Sequence, residues 1–387
     1  MRKNNTILGQ MLQLFSRYEF AKAVKEAKTE WHSRGFSSWS HFVSMLFGQL
    51  AGQDSLRGIE AGLASQPHAL YHFGIKPVRR STLAYANAHR THELFKNIFD
   101  RMLSQCLAVA PRHKFRFKNP LYSLDATTIE LCLSLFDWAK FRTTKGAVKL
   151  HVKLNHAGYL PTFVAVTTGR EHEVKIAPSI PVERGDVVVF DRGFTDFAWY
   201  ASLMERGIYF VTRLKKKADY RVVERRETNH LKTIYSDQVI ELRGYATSRK
   251  CPYGLRRIRS RDPETGKIIV LLTNQMDWSA QTIAQIYKDR WQIELFFKAL
   301  KQQMKVKSFV GTSRNALLSQ LWIALTAYLL LAYLKFRSRF SWSLYTLSAI
   351  LPTNLFSRRN LGDWLNAPFH PRSLSPPPEP QLQLSFG

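Results

Sequence analysis

One stretch constrains this chain more than any other. Residues 279–305, SAQTIAQIYKDRWQIELFFKALKQQMK, read as a single long helix. At about 100° per residue, Tyr287, Arg290, Glu294 and Lys301 fall on one stripe roughly 60° wide. Ile286, Trp291, Ile293, Leu295, Phe296, Phe297, Leu300 and Met304 cover the rest of the circumference. A helix apolar over most of its surface is expected to be buried. An acid flanked by cations survives there only if the charges pair or face a wet cleft. Two readings of the stripe compete. In one, Arg290 and Glu294 form an i,i+4 salt bridge, which stabilises the helix by a few tenths of a kcal/mol. In the other, Glu294 holds a divalent metal while Arg290 and Lys301 hold a phosphate. The choice needs partners from elsewhere in the chain.

The charge balance narrows what those partners meet. Lys and Arg number 57 against 29 acids, a net charge of +28 over 387 residues. Such an excess, spread along the chain, points to a long contact track for a polyanion. An apolar content of 45% with 13% aromatics argues for folded domains, two or three of them, and against a disordered basic tail. Three cysteines, Cys106, Cys132 and Cys251, give neither a disulfide framework nor zinc-ligand spacing. A reducing, cytoplasmic setting is the expectation. Residues 1–10 are polar and carry no leader-like apolar core. The stretch 321–334, LWIALTAYLLLAYL, is short for a membrane span and reads as a buried core helix.

Taken in order, the chain divides into five expected parts. Residues 1–110 read as an all-helical domain. Ser40 is a candidate cap for a helix carrying Phe42, Met45, Leu46 and Leu50, and Ser81 for a second helix through about residue 100. Its basic residues Arg79, Arg80, Arg90 and Lys96 suit DNA binding, and the domain is equally suited to packing on its neighbour. A proline-bounded basic linker, PRHKFRFKNP, leads into β-rich sequence at 121–133, 148–155 and 160–168. The run DVVVF at 186–190 has the pattern of a central parallel strand, with a helix and another strand to follow. Residues 111–214 and 268–335 are thus expected to form one mixed sheet flanked by helices, an α/β class. Residues 215–267 read as a β-rich insertion. The last part, 336–387, ends in a proline-rich tail expected to be disordered.

Two acids interrupt otherwise apolar strands. Asp125 stands in LDAT of the first strand, and Asp191 ends the DVVVF strand before Arg192-Gly193-Phe194. The open end of parallel strands is where α/β sheets place ligands. Each alone fits an ordinary edge, turn or cap residue; with Glu294 they make a set. Together these features resemble DDE-type insertion-sequence transposases with an RNase H-like core. The likeness is to the IS-four family, whose third acid lies in a Tyr, Arg, Glu, Lys pattern. Tyr287, Arg290, Glu294 and Lys301 match every interval, and LDATTIEL, GAVKLHVKLN and VVVFDRGF match around them. The resemblance covers roughly residues 115–335, and SLRGIEAGL and RRSTLAYANAHR are similar to the helical domain preceding some such cores.

The resemblance implies that Asp125, Asp191 and Glu294 are catalytic and hold two Mg²⁺ ions, with Mn²⁺ able to replace them. Asp125 is expected to bridge both ions. Hard ions of this kind take carboxylate oxygens, and a pair of them serves in-line attack on a phosphodiester. It further implies that Tyr287, Arg290 and Lys301 bind DNA phosphate, Arg290 as a fork and Lys301 as a point charge. The partners implied are terminal inverted repeats, target DNA and a second copy in a homodimer, with no membrane. The expected activity is cut-and-paste transposition. A nuclease without strand transfer and an inactive DNA-binding regulator are the alternatives. Some members stack a flipped base on a tryptophan of the insertion, yet no Trp lies between Trp199 and Trp278. A tyrosine of the insertion would have to serve. His151 and His172 lack partner histidines at ligand spacing and read as supporting or structural. Glu173 is a weaker candidate for an auxiliary acid.

Overall fold

The computed structural model describes residues 5–30, 35–132, 134, 136–142, 145–228, 231–304 and 309–369. Seven helices come first: α1 (Ile7–Leu12), α2 (Arg17–Glu26), α3 (Ser38–Leu50), α4 (Leu56–Ala64), α5 (Pro67–Phe73), α6 (Arg80–His89) and α7 (Glu93–Val109). Thr6, Ser16, Ser37 and Ser55 cap the first four by accepting a backbone N–H. Ser37, and not Ser40, is therefore the cap of α3; Ser40 lies inside the helix, buried. The helix expected to start at Ser81 and reach residue 100 is two helices, α6 and α7, bent apart around Arg90–His92. Arg90 there donates to the carbonyls of Phe36 and Ser37 at 2.8 and 3.1 Å, which ties the break to the start of α3.

The sheet then begins with β1 (Leu121–Leu131), β2 (Lys140–Arg142), β3 (Lys145–Asn155) and β4 (Leu160–Thr168), followed by the short α8 (Glu173–Ile176). Next come β5 (Val187–Phe190), α9 (Phe197–Glu205) and β6 (Tyr209–Arg213). The segment read as an insertion supplies β7 (Tyr220–Arg226), β8 (Ile234–Leu242), a short α10 (Tyr245–Lys250) and β9 (Leu255–Arg261). β10 (Ile268–Thr273), α11 (Ala280–Asp289), α12 (Trp291–Gln302), α13 (Arg314–Arg337), α14 (Leu344–Asn354) and α15 (Leu361–Asn366) complete the order.

All ten strands join one mixed sheet in the order β2-β3-β1-β5-β6-β10-β9-β8-β7, with β4 also paired to β3. β1, β3 and β4 run antiparallel, while β1, β5 and β6 are parallel to one another. This is the mixed, RNase H-like arrangement expected of the core. Every residue of β5 is buried, as its unbroken VVVF requires of a strand covered on both faces. The β-rich segment is not set apart from the core: β9 pairs with β10 from end to end, so the sheet runs on into it.

The largest core gathers the N-terminal helices, α12–α15 and the β1/β3/β4 part of the sheet around α13. By length and composition α13 could cross a membrane, yet 89% of its most apolar window is buried inside the protein. It is a core helix, apolar all round because α3, α6, α7, α12 and α14 surround it. The N-terminal helices thus pack on the rest of the molecule. The proline-rich tail from residue 370 onward, like Lys305, lies outside the described residues.

Inside the helical region His41 is fully enclosed. Its Nε2 meets Asn87 Oδ1 at 2.7 Å, and its Nδ1 has no hydrogen-bond partner. Burial, helped by nearby Arg90, drives its pKa down to about 3, against the pull of Asn87. The folded imidazole stays neutral while the unfolded one takes up a proton below about pH 6.5. Stability carried by His41 is therefore present above that pH and is lost as pH falls, by up to about 1.4 kcal/mol per unit. Thermal midpoints measured between pH 7 and pH 5 are expected to drop more steeply for the wild type than for His41→Leu; parallel curves would contradict this.

Candidate active site

The parallel pairing of β1 with β5 sets two acids side by side. Leu124 is in register with Phe190, so Asp125, inside β1, comes beside Asp191, the residue that follows the end of β5. Such strands lie about 4.8 Å apart. Asp191 ends its strand by capping a short turn, with Oδ1 accepting the Gly193 N–H at 2.6 Å. A Cβ at Gly193 would lie 2.9 Å from Asp191 Oδ1 and 3.6 Å from Glu173 Oε2. Glycine there lets the turn close on the carboxylate and leaves Glu173 beside it.

The third acid arrives from a helix. The long helix expected over 279–305 is two, α11 and α12, meeting at Arg290. The Arg290 N–H is shared between the carbonyls of Ile286 and Tyr287, at 3.2 and 3.3 Å, and the Ile293 N–H reaches back three residues to Arg290. These tightened bonds mark the junction. Glu294 lies in the first turn of α12. Trp291 and Leu295 are 56% and 42% exposed, so α12 is not buried all round as expected.

Arg290 joins the set. Its Nη1 donates to Asp125 Oδ2 at 3.1 Å and its Nη2 to Glu294 Oε1 at 2.5 Å, while its Nε is buried without a partner. The helix salt bridge foreseen from spacing is present, and it extends across the fold to strand β1. Asp125 also accepts the Ala126 N–H at 2.8 Å. Burial, opposed by Arg290 and reinforced by the charges of Asp191 and Glu294, pushes the Asp125 carboxyl up to about 6. Asp191 and Glu294 therefore both lie within electrostatic reach of Asp125.

The remaining stripe residues line the same cleft. The Tyr287 ring centroid is 5.8 Å from the Arg290 guanidinium carbon, and burial raises the phenol. Lys301 Nζ donates to the Thr128 carbonyl at 2.9 Å, further along β1. Glu173 accepts from Lys149 at 3.0 Å; its pKa, which burial would raise, is brought below the usual range by its hydrogen bonds, that of Lys149 among them. His151 is buried on β3, bonded to Thr167 Oγ1 at 2.9 Å and depressed to about 4 by burial. His172 is exposed at the start of α8. Of the tyrosines in the β-rich segment, Tyr245 and Tyr235 are exposed, and Tyr220 and Tyr253 pack on the core beside β6 and α9.

The donor set, three carboxylates from two strands and a helix, offers the oxygen ligands that hard divalent ions take. Among the described residues, no three acids, histidines or cysteines stand together closely enough to enclose one ion. A guanidinium bonds to two of the three instead. The reading from sequence missed Asp289, Ser123 and His156, which are joined to one another beside Arg290 and Asp125. The only signal was an acid beside Arg290 that falls on the apolar side of the helix.

Residues 116–330 match the family described as "Transposase DDE domain", and residues 3–76 match a domain of unknown function (DUF4372). The chain is 31% identical to "Putative transposase y4zB" of Sinorhizobium fredii, across 72% of this chain and 78% of that one. It is 28% identical to "Probable transposase for insertion sequence element IS5377" of Geobacillus stearothermophilus, across 68% and 69%. A piggyBac transposase synaptic complex with hairpin DNA is a more distant likeness, with a TM-score of 0.41 and 12% identity over 94% of this chain and 82% of that one. With a family match over more than half its length and relatives of this kind, the chain belongs to the DDE transposases of insertion sequences.

Proposed function

We propose that this protein excises and reinserts its own element by cut and paste, with Asp125, Asp191 and Glu294 as its catalytic carboxylates. The observation that carries the reading is the meeting of Asp125 and Glu294, 169 residues apart in sequence, on one cationic Arg290, with Asp191 following the strand residue in register with Leu124. Asp125, Asp191 and Glu294 are the residues that would hold two divalent ions, Mg²⁺ or Mn²⁺. When bound, such ions activate the attacking oxygen and neutralise the leaving one in phosphodiester cleavage and strand transfer.

The chain's own groups do the rest. Asp125 feels the charge of both other acids, which suits a shared ligand. Arg290 neutralises the carboxylates in the free protein, and its planar fork equally matches a phosphate. Lys301 and Tyr287 flank it and would hold the strand near the cut. The net charge of +28 supplies the long-range attraction for terminal repeats and target DNA. Two ends must be paired before joining, so a homodimer is the assembly this reading requires. It would act in the cytoplasm of a prokaryotic cell, at the nucleoid.

Three tests follow. Incubating the protein with Mg²⁺ and a labelled duplex from the DNA bordering its gene is expected to yield joined products. Cut products alone would indicate a nuclease, and a mobility shift without cutting a regulator. Asp125→Ala, Asp191→Ala and Glu294→Ala are each expected to lose cleavage by roughly a thousandfold or more while still shifting the duplex. Robust cleavage by Asp125→Ala would end the assignment. Because protons compete with ions at Asp125, whose pKa is about 6, half-maximal cleavage is expected to need more Mg²⁺ at pH 5.5 than at pH 7.5. An unchanged requirement would contradict that. Duplex affinity is expected to fall steeply between 50 and 200 mM salt.

A further inference from the structure

Beside Arg290 lies a second set of polar groups, buried apart from Lys114 and Tyr159. Asp289, the residue before Arg290, is 4% exposed, and its carboxylate collects three donors. His156 Nδ1 reaches it at 2.8 Å, Lys114 Nζ at 2.5 Å and the Tyr159 hydroxyl at 3.4 Å. The other ring nitrogen of His156 meets Ser123 Oγ at 2.7 Å. One tautomer satisfies every atom: Ser123 O–H donates to Nε2, and Nδ1–H donates to Asp289. The order serine, histidine, aspartate resembles a hydrolytic relay, but Ser123 is fully enclosed and no substrate can reach it. No step of the proposed chemistry uses these groups.

Their placement says what they do. Ser123 lies two residues before Asp125, on the same face of β1. Asp289 ends α11 at the junction where Arg290 begins the turn into α12. His156 and Tyr159 come from the β3–β4 turn, where Gly158 and Tyr159 both adopt positive φ, +73° and +56°. That strained turn is tied down in turn, since the Tyr328 hydroxyl of α13 donates to the Tyr159 carbonyl at 3.0 Å. The strand bearing the first acid and the helix junction bearing the arginine are therefore bolted together through one imidazole.

We infer that Ser123, His156 and Asp289 form a positioning chain that fixes Arg290 and Glu294 against Asp125. The inference rests on the carboxylate reading above and deepens it. Outer partners of a metal-binding constellation orient the ligands, and losing one costs roughly tenfold to a hundredfold. Residues acting through a single chain also show non-additive losses.

The test uses the full-length protein, Mn²⁺ binding followed by electron paramagnetic resonance, and steady-state cleavage of the labelled duplex. Ser123→Ala and Asp289→Asn are expected to keep duplex affinity while kcat falls roughly tenfold to a hundredfold and Mn²⁺ binding weakens. The double variant is expected to be no worse than the poorer single one. Unchanged kcat and Mn²⁺ binding in both, a loss confined to KM, or fully additive losses would overturn the inference. Should Asp289→Asn not fold, Ser123→Ala, which removes one hydroxyl, decides alone. Asp125→Ala run alongside separates the two layers. If it still cleaves, the carboxylate reading falls and takes this inference with it. If it is inactive while the chain variants behave as wild type, only the positioning inference falls.

Discussion

A single guanidinium bound to carboxylates from two distant parts of the chain is the interaction on which this structure turns. Burial raises the pKa of Asp125, and the neighbouring charges of Asp191 and Glu294 add to that cost. Arg290 offsets it by bonding to Asp125 and Glu294. Assembling like charges in this way makes little sense for stability alone, because apolar residues would fill the space at lower cost. It makes sense where a divalent cation is to be received, and the family to which the chain belongs performs chemistry on DNA.

The fold supplies the geometry in two steps. Parallel pairing of β1 with β5 brings Asp125, inside β1, next to Asp191 at the end of β5 without any long side chain having to reach. The break at Arg290 then turns α12 across that end so that Glu294 and Lys301 both face β1. Behind the sheet, α13 fixes the helical N-terminal region and the β3–β4 turn to one core. Rigidity at the cleft is thus inherited from packing some distance away, which suits a site whose groups must hold position within fractions of an ångström.

Much of this was legible in the sequence, and what was not has physical reasons. The spacing of Tyr287, Arg290, Glu294 and Lys301 foretold a common face, and the VVVF run foretold a central strand, because both patterns are local. Helix ends were harder. Ser37 and Ser40 are both competent caps, and only the chain's approach to α3 selects Ser37. The junction at Arg290 was invisible because its causes are remote: His156 and Lys114 lie 133 and 175 residues from Asp289. Exposure of Trp291 and Leu295 was likewise unreadable, since apolar spacing tells which residues can be buried and not whether a partner arrives to bury them. The β-rich segment was recognised by composition, but its continuity with the sheet depends on the pairing of β9 with β10, a long-range choice.

The central claim is that these carboxylates form one ion-binding site. Anomalous diffraction from crystals of the protein with its element end and Mn²⁺ tests it most directly. The account predicts an anomalous peak about 2.1 Å from carboxylate oxygens of both Asp125 and Asp191, with Arg290 turned from Asp125 toward a phosphate. Peaks that avoid Asp125, Asp191 and Glu294, or an Arg290 still bound to both acids beside a cleaved strand, would contradict it.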